Sequence, residues 1–201
     1  MLKSKNKGIL IIISSPSGAG KTTIAKKLIS ESLNIELSVS LTTRTPRNGE
    51  IDGIDYKFVS KDLFKKKIKK KLFLEQAKVF GNFYGTLKSE VITKLNKGKN
   101  ILLDIDWQGA RQVRKKFNNL VLSVFILPPS LNELKVRLKK REKDLSFVNR
   151  RMSKAKKEIK HWNEYDYVVI NKNLNNCIKV IKNIILSENY KPFRQIVRNV
   201  K

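Results

Sequence analysis

The run GILIIIS, Gly8–Ser14, is continuously apolar and passes directly into SPSGAGKTT, Ser15–Thr23. An apolar run of this length, stopped by a loop, is the pattern of a strand buried on both faces, and such strands belong to parallel sheets. Thr22–Ser32 follows with Ile24, Ala25, Leu28 and Ile29 at helical spacing. Strand, glycine loop and helix in that order commit the chain to an α/β architecture, because parallel neighbours need crossover connections. The loop matches the phosphate-loop pattern G-x-x-x-x-G-K-[ST] except at its first position, where Ser15 stands. Successive backbone N–H groups of Ser15, Pro16, Ser17, Gly18, Ala19, Gly20, Lys21, Thr22 and Thr23, proline excepted, can form a nest for phosphate oxygens at a helix N-terminus. Lys21 would reach the terminal phosphates and the Thr22 hydroxyl would ligate Mg²⁺. The loop implies ATP or GTP and leaves open where a phosphate goes.

Three more buried strands are expected: Asn100–Asp106, with carboxylates at its C-terminal end; Leu120–Leu127, stopped by Pro128 and Pro129; and Tyr165–Ile170. Helices are expected over Gly109–Phe117, from Ser130 with a capping box to Glu133, over Val148–Asn163 and over Leu174–Ser187. Strands alternating with helices give a mostly parallel sheet covered on both faces. Glu36–Glu90 breaks the rhythm. ELSVSL and DYKFVS alternate like half-buried strands, FGNFYGT places an Asn and two glycines in a tight turn, and FKKKIKKK reads as a helix near Lys61–Lys71 with Phe64, Ile68 and Leu72 inward. The tail after Ser187 is polar and basic, a last helix or a frayed end.

The net charge is +27, from 44 Lys and Arg against 17 Asp and Glu. Such a balance can mark a nucleic-acid partner. Here the excess is mostly lysine, spread along the chain and accompanied by abundant Asn and Ile, all residues with A/T-rich codons, so no specific nucleic acid is expected. No apolar run reaches the roughly 20 residues of a membrane span. Cys177 is the only cysteine, which fits a cytoplasmic chain without disulfides.

Arginine is placed more selectively. Arg44 and Arg47 flank Pro46 in SVSLTTRTPRNGE, Ser38–Glu50, and two guanidinium forks in one loop describe a second anion site. Glu75 stands in the apolar stretch FLEQAKVF. An ionised carboxylate only accepts hydrogen bonds; guanine offers it a ring N–H and an amine, whereas adenine presents a lone pair.

SVSLTTRTPRNGE, GIDYKFV, FLEQAKVFGNFYGT, ILLDIDWQGA and FILPPS, in this order and spacing, resemble the guanylate kinases, and the similarity runs from about Gly8 to Leu186. The family often has a small residue at the position of Ser15. The resemblance implies a P-loop parallel core (1–35, 91–135 and 152–201), a small mixed GMP-binding insertion (about 36–90) and a short lid (about 136–151). It implies transfer of a phosphoryl group from ATP to GMP or dGMP, with Mg²⁺, in the cytoplasm, and it allows a homodimer. By matching positions, Arg44, Arg47, Tyr56 and Tyr84 would hold the GMP phosphate; Ser40, Glu75 and Thr86 would read guanine. Asp104 and Asp106 would organise Mg²⁺ waters, the arginines and the base pocket, their roles undivided. Arg137, Arg141 and Arg151, with Arg150 as the alternative to Arg151, would be the lid cations, and Asn171 would lie near adenine. Glu142 stands where the family often has glycine, and the lid is about one residue short. Some related domains have lost catalysis and bind proteins instead; the presence of Lys21, Thr22, Arg44 and Arg47 argues against that class here.

Overall fold

The computed structural model describes residues 8–30, 34–117, 120–141 and 144–194, and of Arg141 only the backbone. Five parallel strands form the main sheet in the order β2 (Ile35–Leu37), β7 (Asn100–Asp104), β1 (Leu10–Ser14), β8 (Val121–Leu127), β9 (Tyr167–Ile170). β1 is central, and its side chains alternate between two cores. Ile9, Ile11 and Ile13 pack with α1 (Lys21–Ser30) and α7 (Leu174–Glu188); Leu10 and Ile12 pack with α3 (Lys88–Asn96) and α4 (Trp107–Phe117). Both faces are therefore covered, as the unbroken apolar run requires. The register sets Ile13 beside Asp104, so the loop leaving β1 opens next to the end of β7.

A second sheet lies between β2 and α3 in the chain, in the order β4 (Lys57–Phe58), β3 (Leu41–Thr42), β6 (Asn82–Leu87), β5 (Phe73–Val79). β3 and β4 run parallel; the other pairs are antiparallel. Its core stacks Phe64, from α2 (Lys61–Lys69), against Phe73 at 4.4 Å and Phe83 at 5.4 Å between ring centroids. The β5–β6 hairpin turns on Phe80 and Gly81, both at positive φ (48° and 79°), the two-residue turn that matches strand twist.

The structure corrects several sequence expectations. ELSVSL is not one strand: Ile35–Leu37 joins the main sheet, Leu41–Thr42 the second, and Ser38–Ser40 cross between them. Gly85 does not punctuate a turn; it lies in β6, where a Cβ would stand 2.9 Å from the Phe73 ring and 3.0 Å from the Glu75 carbonyl oxygen. Leu72 is 41% exposed rather than inward, because α2 ends at Lys69 and Lys71 takes φ 54°, which breaks the helical phase. α3 was not anticipated; its nine residues include Val, Ile and Thr, which blur a helical pattern. α4 begins two residues early, at Trp107. α6 (Leu145–Ile159) starts at the Asp144 cap and stops before Asn163. In α5 (Leu131–Arg141) Ser130 caps the Glu133 N–H as expected, but the Glu133 carboxylate pairs with Arg137 instead of returning to the cap. The tail from residue 195 lies outside the described residues. No helix among those described is long and apolar enough to cross a membrane.

Phe64 is fully buried and joins α2 to the second sheet. Phe64→Ala is expected to destabilise the protein by about 3–5 kcal/mol, measured by urea unfolding followed by circular dichroism.

Candidate active site

The loop between β1 and α1 is held from three sides. Gly18 and Gly20 carry positive φ (94° and 102°), which bends the chain around a hollow that L side chains rarely permit. Beneath it, the Asn171 amide donates to the Ala19 carbonyl at 2.8 Å, and a Cβ on Gly20 would meet that amide nitrogen at 2.7 Å. Asn171, expected near adenine, is buried as a brace for the loop. Beside it, Lys21 Nζ lies 2.5 Å from Asp104 Oδ1 and also reaches the Ile105 carbonyl. Burial alone would disfavour the ammonium, but Asp104 outweighs it, with Tyr56 and Glu158 adding to the effect, so the Lys21 pKa rises above its ordinary value. Lys21 is thus a fixed cation throughout the working pH range. Thr22, in the first turn of α1, is exposed and lines the same cleft.

From above, α6 presents Arg151, Lys154 and Glu158 on one face, spaced three and four residues apart. Arg151 Nη1 donates to the Ser17 hydroxyl at 3.2 Å, and the buried Glu158 accepts from the Ser17 N–H at 3.1 Å. Lys154 bridges Glu158 at 3.2 Å to the Phe80 ring at 4.5 Å, and so links α6 to the tip of the β5–β6 hairpin. Arg150 is exposed and stacks on Phe147. Of the two neighbours, Arg151 is the one at the loop. Arg137 donates to Glu133 and to the Asn171 carbonyl oxygen, away from the cleft. The Arg141 side chain, Glu142 and Lys143 lie outside the described residues.

Across the cleft, the second sheet supplies the other wall: Ser40, Arg47, Tyr56, Glu75 and Tyr84 face Asp104, Asp106 and the loop. Ser40 and Thr86 exchange a hydroxyl bond of 3.0 Å. Arg44 forks onto Glu50 through both terminal nitrogens, at 2.8 and 2.9 Å, while Glu50 also accepts from the Arg47 N–H at 2.8 Å. Glu50 thereby shapes the whole arginine loop, and the Arg44 fork holds its pKa below the usual value. Arg44 also lies over the Tyr56 ring at 5.2 Å, with Tyr84 edge-on to Tyr56. The two carboxylates of β7 and its exit divide their work. Asp104 holds Lys21; Asp106 caps α4, accepting from the N–H groups of Gln108 and Gly109 at 3.0 and 3.1 Å.

A cation-lined glycine loop thus faces, across one cleft, a separate arginine–tyrosine wall with a buried glutamate. The guanylate kinase family model matches residues 7–188. The chain belongs to the guanylate kinase family. It is 49% identical over 193 residues to the guanylate kinase of Rickettsia prowazekii, covering 96% of this chain and 98% of that one. It is 48% identical over 191 residues to that of Zymomonas mobilis, covering 94% and 88%. The crystal structure of guanylate kinase from Anaplasma phagocytophilum superposes with a TM-score of 0.80 at 38% identity, covering 96% of this chain and 92% of that one.

Within this guanylate kinase fold, the contributors that escaped sequence reading include Glu50, Lys154, Glu158 and Gln112. The last clamps β5, accepting from the Gln76 N–H at 3.1 Å and donating to its carbonyl at 2.7 Å. The available signal was scarcity. With 17 acidic residues among 44 basic ones, a carboxylate beside an arginine pair or on a helix face with Arg151 is informative in itself.

Glu75 is 3% exposed. Burial pushes its carboxyl up to about 7, assisted by Asp106 and opposed by hydrogen bonds from Thr86 and by Lys116. An acid whose pKa is raised by folding is disfavoured in its ionised form by the folded state. Its contribution to stability therefore falls as pH rises from about 4.5 to about 7 and is constant above. Glu75→Gln removes this dependence: the stability advantage of the variant over wild type is expected to grow by about 2–3 kcal/mol between about pH 5 and pH 8, measured by urea unfolding at both pH values.

Proposed function

We propose that the protein transfers the γ-phosphoryl group of ATP to GMP, and to dGMP, giving ADP and GDP or dGDP. The observation that carries this reading is a glycine loop with Lys21 and Arg151 facing Arg47, Tyr56, Tyr84 and the buried Glu75 across one cleft. Family membership supports the same reaction. The ATP phosphates would lie in the hollow of Gly18–Thr22, which offers backbone N–H groups, the α1 terminus and Lys21. Among the described residues no cluster of three or more His, Cys, Asp or Glu could cage a metal. The donor set instead suits Mg²⁺ held chiefly by water and phosphate oxygens, with the Thr22 hydroxyl as ligand and Asp104 reaching it through water. Bound there, Mg²⁺ would neutralise phosphate charge.

The acceptor phosphate would sit between Arg44, Arg47, Tyr56 and Tyr84. Ionised Glu75 would accept from the guanine ring N–H and amine, with Ser40 and Thr86 beside it. Adenine would leave Glu75 facing a lone pair. The attacking oxygen belongs to a phosphate already largely ionised at neutral pH, so no general base is required. The P–O bond to the acceptor forms as the bond to the ADP leaving oxygen breaks. Lys21, held by Asp104, stabilises the equatorial oxygens in flight. Arg151 already donates to the Ser17 hydroxyl of the loop. Arg137 would exchange its bonds to Glu133 and the Asn171 carbonyl for phosphate oxygens as the lid, carrying Arg141, closes and excludes competing water.

With ATP and Mg²⁺, GMP and dGMP are expected to yield ADP while AMP, UMP and CMP do not, read in a coupled ADP assay; equal rates with AMP would overturn the reading. Lys21→Ala is expected to lower kcat roughly 10²–10³-fold while GMP binding, measured by calorimetry, survives. Because Glu75 must be ionised to accept both bonds, the KM for GMP is expected to rise as pH falls below about 7, with the KM for ATP unchanged.

A further inference from the structure

Gly109 is the third residue of α4 and has ordinary helical backbone, a setting in which glycine is disfavoured relative to alanine. No turn or positive φ requires it. What faces it is Glu75: a Cβ on Gly109 would stand 2.5 Å from Glu75 Oε2, 3.1 Å from its Cδ and 3.4 Å from Ile105 Cβ. The backbone that carries Glu75 is fixed, so it is the carboxylate that must give way. Its strand is clamped to the same helix one turn on, by the paired bonds between Gln112 and the Gln76 backbone, and again by Lys116 donating to the Leu74 carbonyl. Its carboxylate is held by Thr86, with Asp106 and Lys116 as the charged groups around it. Gly109, Gln112 and Lys116 form one stripe of α4, and that stripe sets both the height of β5 and the space left for its glutamate.

We propose that Gly109 is a specificity-determining position: the missing side chain fixes where the Glu75 carboxylate lies, and hence which base it can accept from. This rests on Glu75 as the guanine reader. A methyl group at 109 pushes Oε2 out of its place, and two parallel hydrogen bonds tolerate little displacement. Gly109 acts through Glu75 and is a positioning residue.

The test measures kcat and KM for GMP, inosine monophosphate and AMP, and KM for ATP, in Gly109→Ala, Glu75→Gln and the double variant. Gly109→Ala is expected to raise the KM for GMP about tenfold and to narrow the preference for GMP over the other two. The KM for ATP stays within about twofold, whereas a merely structural defect would move both. Added to Glu75→Gln, the alanine changes the KM for GMP by less than about twofold, because the group it displaces is already disabled. If Glu75→Gln loses the preference while Gly109→Ala keeps both preference and KM, the proposal is wrong and the Glu75 reading stands. If Glu75→Gln itself keeps the preference, the Glu75 reading falls and this inference with it. Should Gly109→Ala not stay folded, Glu75→Ala in the same chain is expected to restore cooperative thermal unfolding, since the side chain that is struck is gone; no restoration overturns the proposal.

Discussion

The contact between Lys21 and Asp104 joins the two strands from which the rest of the site hangs. It exists because β1 and β7 run parallel in a register that brings Ile13 level with Asp104, so that a loop leaving one strand meets the carboxylate ending the other. Parallel strands place all their C-terminal ends on one edge of the sheet, where loops and helix N-termini collect. The ion pair is partly buried, and a lone charge of either sign there would be costly. Each partner therefore fixes the other, and the cation faces the hollow of the glycine loop.

Two residues further, Asp106 plays a different part with the same chemistry. By capping α4 it fixes the start of a helix that grips the second sheet. α4 then sets β5 through Gln112 and Lys116 and leaves room for Glu75 at Gly109. The loop side and the second-sheet side of the cleft are thus referenced to a single strand end, Asp104 serving one and Asp106 the other. α6 closes the arrangement from above: Glu158 holds the Ser17 N–H, and Lys154 carries the connection to Phe80.

The parts of this protein that announce themselves in the sequence do so through local physics. A continuous apolar run must be buried on both faces, and two glycines followed by Lys-Thr mark a tight loop running into a helix start. What escaped depended on distance along the chain. Asn171 is 152 residues from the Ala19 carbonyl it braces and Glu158 is 141 from Ser17, and no local pattern encodes either pairing. The choice between Arg150 and Arg151 needed the phase of α6, because adjacent helical residues point about 100° apart. Leu72 and Gly85 were misread because a broken helix and a close-packed strand carry the same residues as a continued helix and a turn.

The sequence alone determined the architecture, the glycine loop between β1 and α1, and the family, since each rests on residues that are neighbours in the chain or on segments in a recognisable order. The tertiary structure alone decided how the two aspartates divide their work, which arginine meets the loop, and what stands opposite the glycine in the first turn of α4. Those are questions of which groups meet after folding. A carboxylate two residues from another can serve a different partner, because one ends a strand and the other starts a helix.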